Sequence, residues 1–165
     1  MPTNFNLAPI SAEDASAEPF EQRLFTPDVI ILMCGSRTWQ NRRMVQSELK
    51  RLQVRYGTRL VVRHGDEPNG ADRMISTLCR ELRIRHEEYC ATTPAVYERG
   101  RCKVVQVSDW AVDGKSAGPK RNVAMLEPGD VVGVVAFRSH GKSNGTDGMC
   151  NLARASGVPV IVRND

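Results

Sequence analysis

The segment Asp28–Met33, DVIILM, is a continuous apolar, β-branched run. A strand with one face in water alternates apolar and polar residues. An uninterrupted run therefore fits a central strand covered on both faces. Asp130–Phe137 (DVVGVVAF) has the same character, and Leu60–His64, Cys102–Val107 (CKVVQV) and Val158–Val162 (VPVIV) are shorter versions of it. Pro159, near the start of the last run, suits an edge or a first ladder position. Between these runs apolar residues recur at helical spacing. Val45, Leu49, Leu52 and Tyr56 mark a helix over Asn41–Tyr56, ended by Gly57. Ala71, Ile75, Leu78 and Leu82 mark a second, and Val123, Met125 and Leu126 a third. Met149, Leu152 and Ala153 mark a fourth, stopped at Gly157. This alternation predicts an α/β fold: a Rossmann-like open, mostly parallel sheet of about five strands, with helices on both faces. With strands ordered 3-2-1-4-5, the topological switch falls between the first and the fourth. Residues 83–101 are polar and mixed in charge, and are expected to form an inserted helical or loop segment, with Arg83–Cys90 as a strand the alternative.

A chain of 165 residues fits one domain. Residues 25–165 are assigned to it. Residues 1–24, with Ala, Ser, Pro and four acids among few large apolar residues, are expected to be a flexible extension. A short helix from Ser11 would be interrupted at Pro19. No apolar run reaches bilayer-spanning length, and the N-terminus lacks a basic patch followed by an apolar core, so a cytoplasmic location is expected. The net charge of +4 suits an anionic small ligand. Single-stranded nucleic acid is disfavoured, because only two Trp, three Tyr and four Phe are present to stack on bases. The five cysteines are odd in number and form no CxxC pair, while His64, His86 and His140 have no ligand spacing. No disulfide framework, metal or cofactor is expected.

Ligands of open α/β sheets bind outside the carboxyl ends of the strands, at the switch. Two loops fall there. The first strand runs into Cys34-Gly35-Ser36-Arg37-Thr38-Trp39, where a glycine and a hydroxyl suit a phosphate-approaching turn and Arg37 adds a permanent cation. The fourth runs into RSHGKSNGTD (138–147), with Gly145 and Thr146 opening a helix. A third candidate loop is Gly114–Leu126, GKSAGPKRNVAML. Pro119 suits a first helical position, and Gly118 permits close backbone approach. Lys120, Arg121 and Asn122 are then read into the first turn, where an anion would be welcome. After the second strand, Gly65 and Asp72 stand in HGDEPNGAD, Asp72 near the start of a helix whose dipole favours a carboxylate.

Together GSRTW, HG followed by GAD, DW followed by GKxAGPxRN, and GT after a glycine-rich loop resemble the YspA/YpsA-related branch of the SLOG superfamily, over residues 28–162. The superfamily joins the DNA-processing protein DprA and the LOG phosphoribohydrolases, and related small proteins occur in actinobacteria and their phages. The resemblance implies a Rossmann-like domain that binds a nucleotide or nucleotide-derived ligand, as sensor or sequestering protein, and a homodimer or larger homo-oligomer. It carries phosphate binding onto Gly35, Ser36, Arg37, Gly145 and Thr146. Arg121 resembles the hydrolases' catalytic arginine. Met149 stands where their catalytic glutamate belongs, so N-glycosidase activity is the alternative function, with Asp147, Asp72, Asp66 or Glu67 as substitute carboxylates. Single-stranded DNA binding, as in the DprA branch, is the second alternative.

Overall fold

The computed structural model describes residues 26–91, 98–99 and 102–165. The extension expected at 1–24 lies outside the described residues. The strands are β1 (Val29–Gly35), β2 (Leu60–Gly65), β3 (Arg85–Cys90), β4 (Glu98–Arg99), β5 (Cys102–Gln106), β6 (Val131–Arg138) and β7 (Val160–Asn164). The helices are α1 (Arg42–Tyr56), α2 (Gly70–Glu81), the single turn α3 (Trp110–Asp113), α4 (Ala117–Leu126) and α5 (Asn144–Ala155). All seven strands join one sheet in the order β4-β5-β3-β2-β1-β6-β7. Six run parallel and β4 pairs antiparallel to β5. The arrangement is an open, Rossmann-like α/β sheet.

β1 shows why its sequence has no polar alternation. Ile31 and Met33 face one way, into a core shared with Trp39, Val45, Leu49, Ile75 and Leu78 of the α1–α2 layer. Leu32 and Cys34 face the other way, against Met125 of α4 and Met149, Cys150 and Ala153 of α5. Successive side chains point to opposite faces, and both faces of β1 are covered by helices.

Two expectations are corrected. Residues 85–90 form strand β3, which lies between β2 and β5, so the strand over 102–106 is not the neighbour of β2. The sequence RHEEYC hides this strand because its charges meet partners: Glu87 sits opposite Arg63 and Glu88 opposite His64 in the β2–β3 register. The other correction concerns α4. It begins at Ala117, after a tight 3-10 turn over Gly114–Ser116, so Pro119 is its third residue and Arg121 its fifth. Proline is tolerated there because none of the first four N–H groups has an intrahelical partner. Arg121 and Asn122 lie beyond the first turn, where the dipole's pull has faded. The switch point falls where expected. The chain leaves β1 toward β2, β3 and β5, then returns to β6 on the other side of β1.

Candidate functional site

A cleft of about 770 Å³ opens at the carboxyl ends of β1 and β6. Four loops supply its walls: Cys34–Thr38 after β1, Glu67 and Asp72 around the start of α2, Lys115–Asn122 along α4, and Lys142–Thr146 at the start of α5. The two loops after β1 and β6 are tied together by hydroxyls. The Ser139 N–H donates to Ser36 Oγ at 3.0 Å. Ser36 Oγ lies 2.7 Å from Ser143 Oγ, which donates to Thr146 Oγ1 at 2.9 Å. Ser36 and Thr146 are themselves buried, so this chain fixes the floor of the cleft at the mouth of α5. The first N–H groups of α5 have no partners within the helix and carry the positive end of its dipole. A Cβ built on Gly145 would meet no protein atom within 4 Å. Packing therefore does not demand this glycine, and its open side leaves room for another molecule to approach the backbone.

Asp72 and Arg121 come from helices on opposite faces of the sheet and meet above Gly65, at the end of β2. A Cβ on Gly65 would stand 2.8 Å from Arg121 Cζ and 2.8 Å from Asp72 Oδ2. Only glycine leaves that space. Asp72 Oδ1 and Arg121 Nε are both buried without a hydrogen-bond partner among the described residues. Burial drives the Asp72 carboxyl up to about 7, against the opposing pull of the Arg121 guanidinium and with Glu67 adding to the rise. A carboxylate poised near neutrality lines the cleft beside an incompletely satisfied guanidinium.

Other predicted residues have different settings. Arg37 lies at the rim, mostly exposed, paired with Glu67 at 3.0 Å and 5.9 Å from the Trp110 ring centroid. Gly118 lines the cleft, 3.5 Å by its added Cβ from Trp110. Asn122 is buried and donates from Nδ2 to Gly145 O at 3.2 Å, joining α4 to the α5 mouth. Lys120 lies outside the lining, its ammonium paired with Asp113. Gly35 lies at the cleft's base, where a Cβ would come within 2.5 Å of Ala71 Cβ.

The chain is 33% identical over 131 residues to the Gene 61 protein of Mycobacterium phage D29, covering 79% of this chain and 93% of that protein. It belongs to the family of that phage protein. No protein-family model matches the chain. The structure is similar to that of the Moco carrier protein from Chlamydomonas reinhardtii, with a TM-score of 0.50 and 16% identity over 84% of this chain and 78% of that one. At that identity the likeness is one of fold. Among the described residues no helix is long and apolar enough to cross a membrane.

For this phage-protein relative, the two positions that bear on hydrolysis are both turned from the cleft. Met149 is fully buried among Leu32, Met125 and Ala153. Asp147 falls in the first turn of α5 and is held by Arg138, whose Nε donates to Oδ1 at 2.8 Å. Sequence reasoning missed Lys115, Lys142 and Ser143, which line the cleft. Ser143 had a legible signal, since a hydroxyl residue immediately before a helix is a common cap.

Proposed function

We propose that the cleft binds a phosphorylated, nucleotide-like small molecule, and that the protein acts as a sensor or sequestering protein of the YspA/YpsA-related branch of the SLOG superfamily. The observation that carries this is Arg121: a half-buried guanidinium with a buried, unsatisfied Nε, lining the same cleft as the helix mouth whose Gly145 leaves the backbone open. Anions are stabilised by helix N-termini and by arginine through charge-assisted hydrogen bonds. Lys115 and Lys142 on the walls add positive charge. The apolar flanks contributed by Trp110, Met125 and Leu152 suit a flat organic group next to the phosphate. A carrier protein with the same fold is in keeping with binding without turnover. Mass spectrometry of ligands released from the native protein is the test: a stoichiometric phosphorylated nucleotide-like compound supports the reading. A protein that releases none, and gives no calorimetric signal with nucleoside monophosphates, overturns it.

One observation favours N-glycosidic hydrolysis as a second reading. Asp72, raised to about 7, lines the cleft and has the protonation range of a general acid or base. Release of free base from nucleoside monophosphates, lost in Asp72→Asn, distinguishes the two readings. We also propose a homo-oligomer, supported by the exposed Val112 and Val123 flanking the loop that carries Lys115 and Gly118. Light scattering at the 18.3 kDa monomer mass would count against it.

A further inference from the structure

The register of β2 and β3 brings together residues that lie far apart in sequence. His64 sits opposite Glu88 and Val62 opposite His86, so His64, His86 and Glu88 share the face of the sheet that α2 covers. All three are buried, with His64 at 0% and His86 at 2% exposure. The two imidazoles stack, their centroids 5.5 Å apart and their planes 23° from parallel. His64 Nε2 lies 4.0 Å and His86 Nε2 3.6 Å from Glu88 Oε1.

The hydrogen-bond inventory of these rings does not close on protein atoms. His64 Nδ1 is 2.9 Å from Gly65 O and His86 Nδ1 is 3.1 Å from Ile84 O. A carbonyl oxygen only accepts, so in each ring Nδ1 carries the proton and donates. Each Nε2 then presents a lone pair, and both lone pairs face the same carboxylate. Neither Nε2 has a hydrogen-bond partner among the described residues. Adding a proton to each Nε2 would bury two imidazolium charges beside one carboxylate and against Arg80, which already donates to Glu88 Oε1 at 2.7 Å. A single cation beside the carboxylate satisfies both lone pairs at once, while Glu88 keeps its hydrogen bonds from Ser76 and Arg80.

We propose that His64 Nε2, His86 Nε2 and a Glu88 carboxylate oxygen bind one divalent transition-metal ion of the zinc class. The donor set is two imidazoles and a carboxylate, the borderline mixture that zinc accepts. The donor atoms already lie within 4.8 Å of one another. Zinc bonds of about 2.0–2.1 Å set tetrahedral donor separations near 3.3 Å, which side-chain rotation can reach. The outer shell is in place. Backbone carbonyls hold both Nδ1–H groups and so fix the tautomer and the ring orientation that ligation needs. Ser76 Oγ donates to Glu88 Oε1 at 2.5 Å and steadies the carboxylate. Cys102, in register with His86, and Cys79 on α2 complete the polar and soft surroundings. With both imidazoles sealed from solvent, the ion is structural and fastens β2, β3 and α2 behind the cleft.

The test titrates zinc chloride into reduced, EDTA-stripped full-length protein by calorimetry, and records X-ray absorption of the one-to-one adduct. One ion per chain with a sub-micromolar Kd and a first shell containing two imidazoles is the expected result. His86→Gln and Glu88→Gln should each weaken binding at least tenfold. No binding at tens of micromolar, a sulfur-dominated shell, or unchanged affinity in a folded His86→Gln protein overturns the proposal. Should the variants fail to fold, the absorption spectrum of the wild-type adduct decides alone. These readouts do not involve the cleft's ligand.

Discussion

Arg63, fully buried on β2, and Arg121, half-buried over the end of that strand, differ in how completely they are satisfied. Arg63, on β2, donates from Nε to Glu87 at 2.7 Å, from Nη1 to Asp130 and to Met125 O, both at 2.8 Å, and from Nη2 to Asp130 at 2.9 Å. Its guanidinium also lies 5.1 Å from the Tyr89 ring centroid. Arg121, reaching over the end of β2, keeps an orphaned Nε beside an orphaned carboxylate oxygen of Asp72. A buried charge that is fully matched ties α4, β2, β3 and the start of β6 into one body. The buried Arg121 Nε and Asp72 Oδ1, left without hydrogen-bond partners among the described residues, are costly to the fold.

Breaking the matched cluster has the largest expected effect. Arg63→Ala takes the donor from the half-buried Glu87 and from the Met125 carbonyl and empties a fully buried site, and should lower the unfolding free energy by about 3–5 kcal/mol, read from urea denaturation. An unchanged midpoint would mean that the Arg63 cluster contributes nothing net to the fold.

Next comes Asp72. Its carboxyl is raised from an ordinary 3.8 to about 7 in the folded chain. Between these values the folded state holds a proton that the unfolded chain has lost, so stability falls as pH rises from about 4 to about 7. Above that range the whole cost of burying the charge is present. Asp72→Asn keeps the shape and removes the ionisation. The variant should gain on the wild type across this window, by about 2–4 kcal/mol in total. His64, lowered to about 4 chiefly by burial, has the opposite slope. It is common to both proteins and cancels in the difference. A difference that stays flat with pH would remove Asp72 from its near-neutral setting.

Arg121→Ala sharpens the contrast with Arg63. The fold should survive, because the structure gives the Arg121 Nε no protein partner to lose. Affinity for the tightest-binding nucleoside monophosphate should fall by about 1.5–3 kcal/mol, the worth of a hydrogen bond to a charged group. Calorimetry that finds equal affinity in the folded variant takes Arg121 out of the site.

The same contrast explains what could be read from the sequence. β1 and β6 were legible because their buried faces are apolar, and β2 and β7 because each opens on an apolar run. β3 was not, since His86 and Glu88 are buried, and Glu87 half-buried, by virtue of partners on β2 and α2 that no local pattern announces. The loops that meet at the cleft were legible from glycine and hydroxyls, because the backbone geometry they need is local. The pairings within them were not. Lys120 is taken by Asp113, Arg37 by Glu67, and Ser36 by Ser143, 107 positions away. Proximity of that kind is set by strand order, and strand order was misjudged by one strand.

The smallest effect is expected at Asp147. On sequence alone it competes with Asp72 for the role of a carboxylate beside the sugar, since it stands two residues before Met149. Its reach depends on whether the helix has begun. α5 starts at Asn144, and the Asp147 N–H already donates to Ser143 O at 2.8 Å. Within a helix, two positions rotate a side chain by about 200°, so Asp147 cannot share the direction of residue 149. Its carboxylate instead takes two hydrogen bonds from Arg138, at 2.8 and 3.3 Å, which hold its pKa below the usual range. A group kept ionised on the outer side of the helix has no proton to give at neutral pH and no path to the cleft. Asp147→Ala should therefore leave nucleoside monophosphate affinity unchanged, along with any base release, while Asp72→Asn alters both. Base release abolished by Asp147→Ala and spared by Asp72→Asn would reverse the assignment and require α5 to unwind at its first turn when ligand binds.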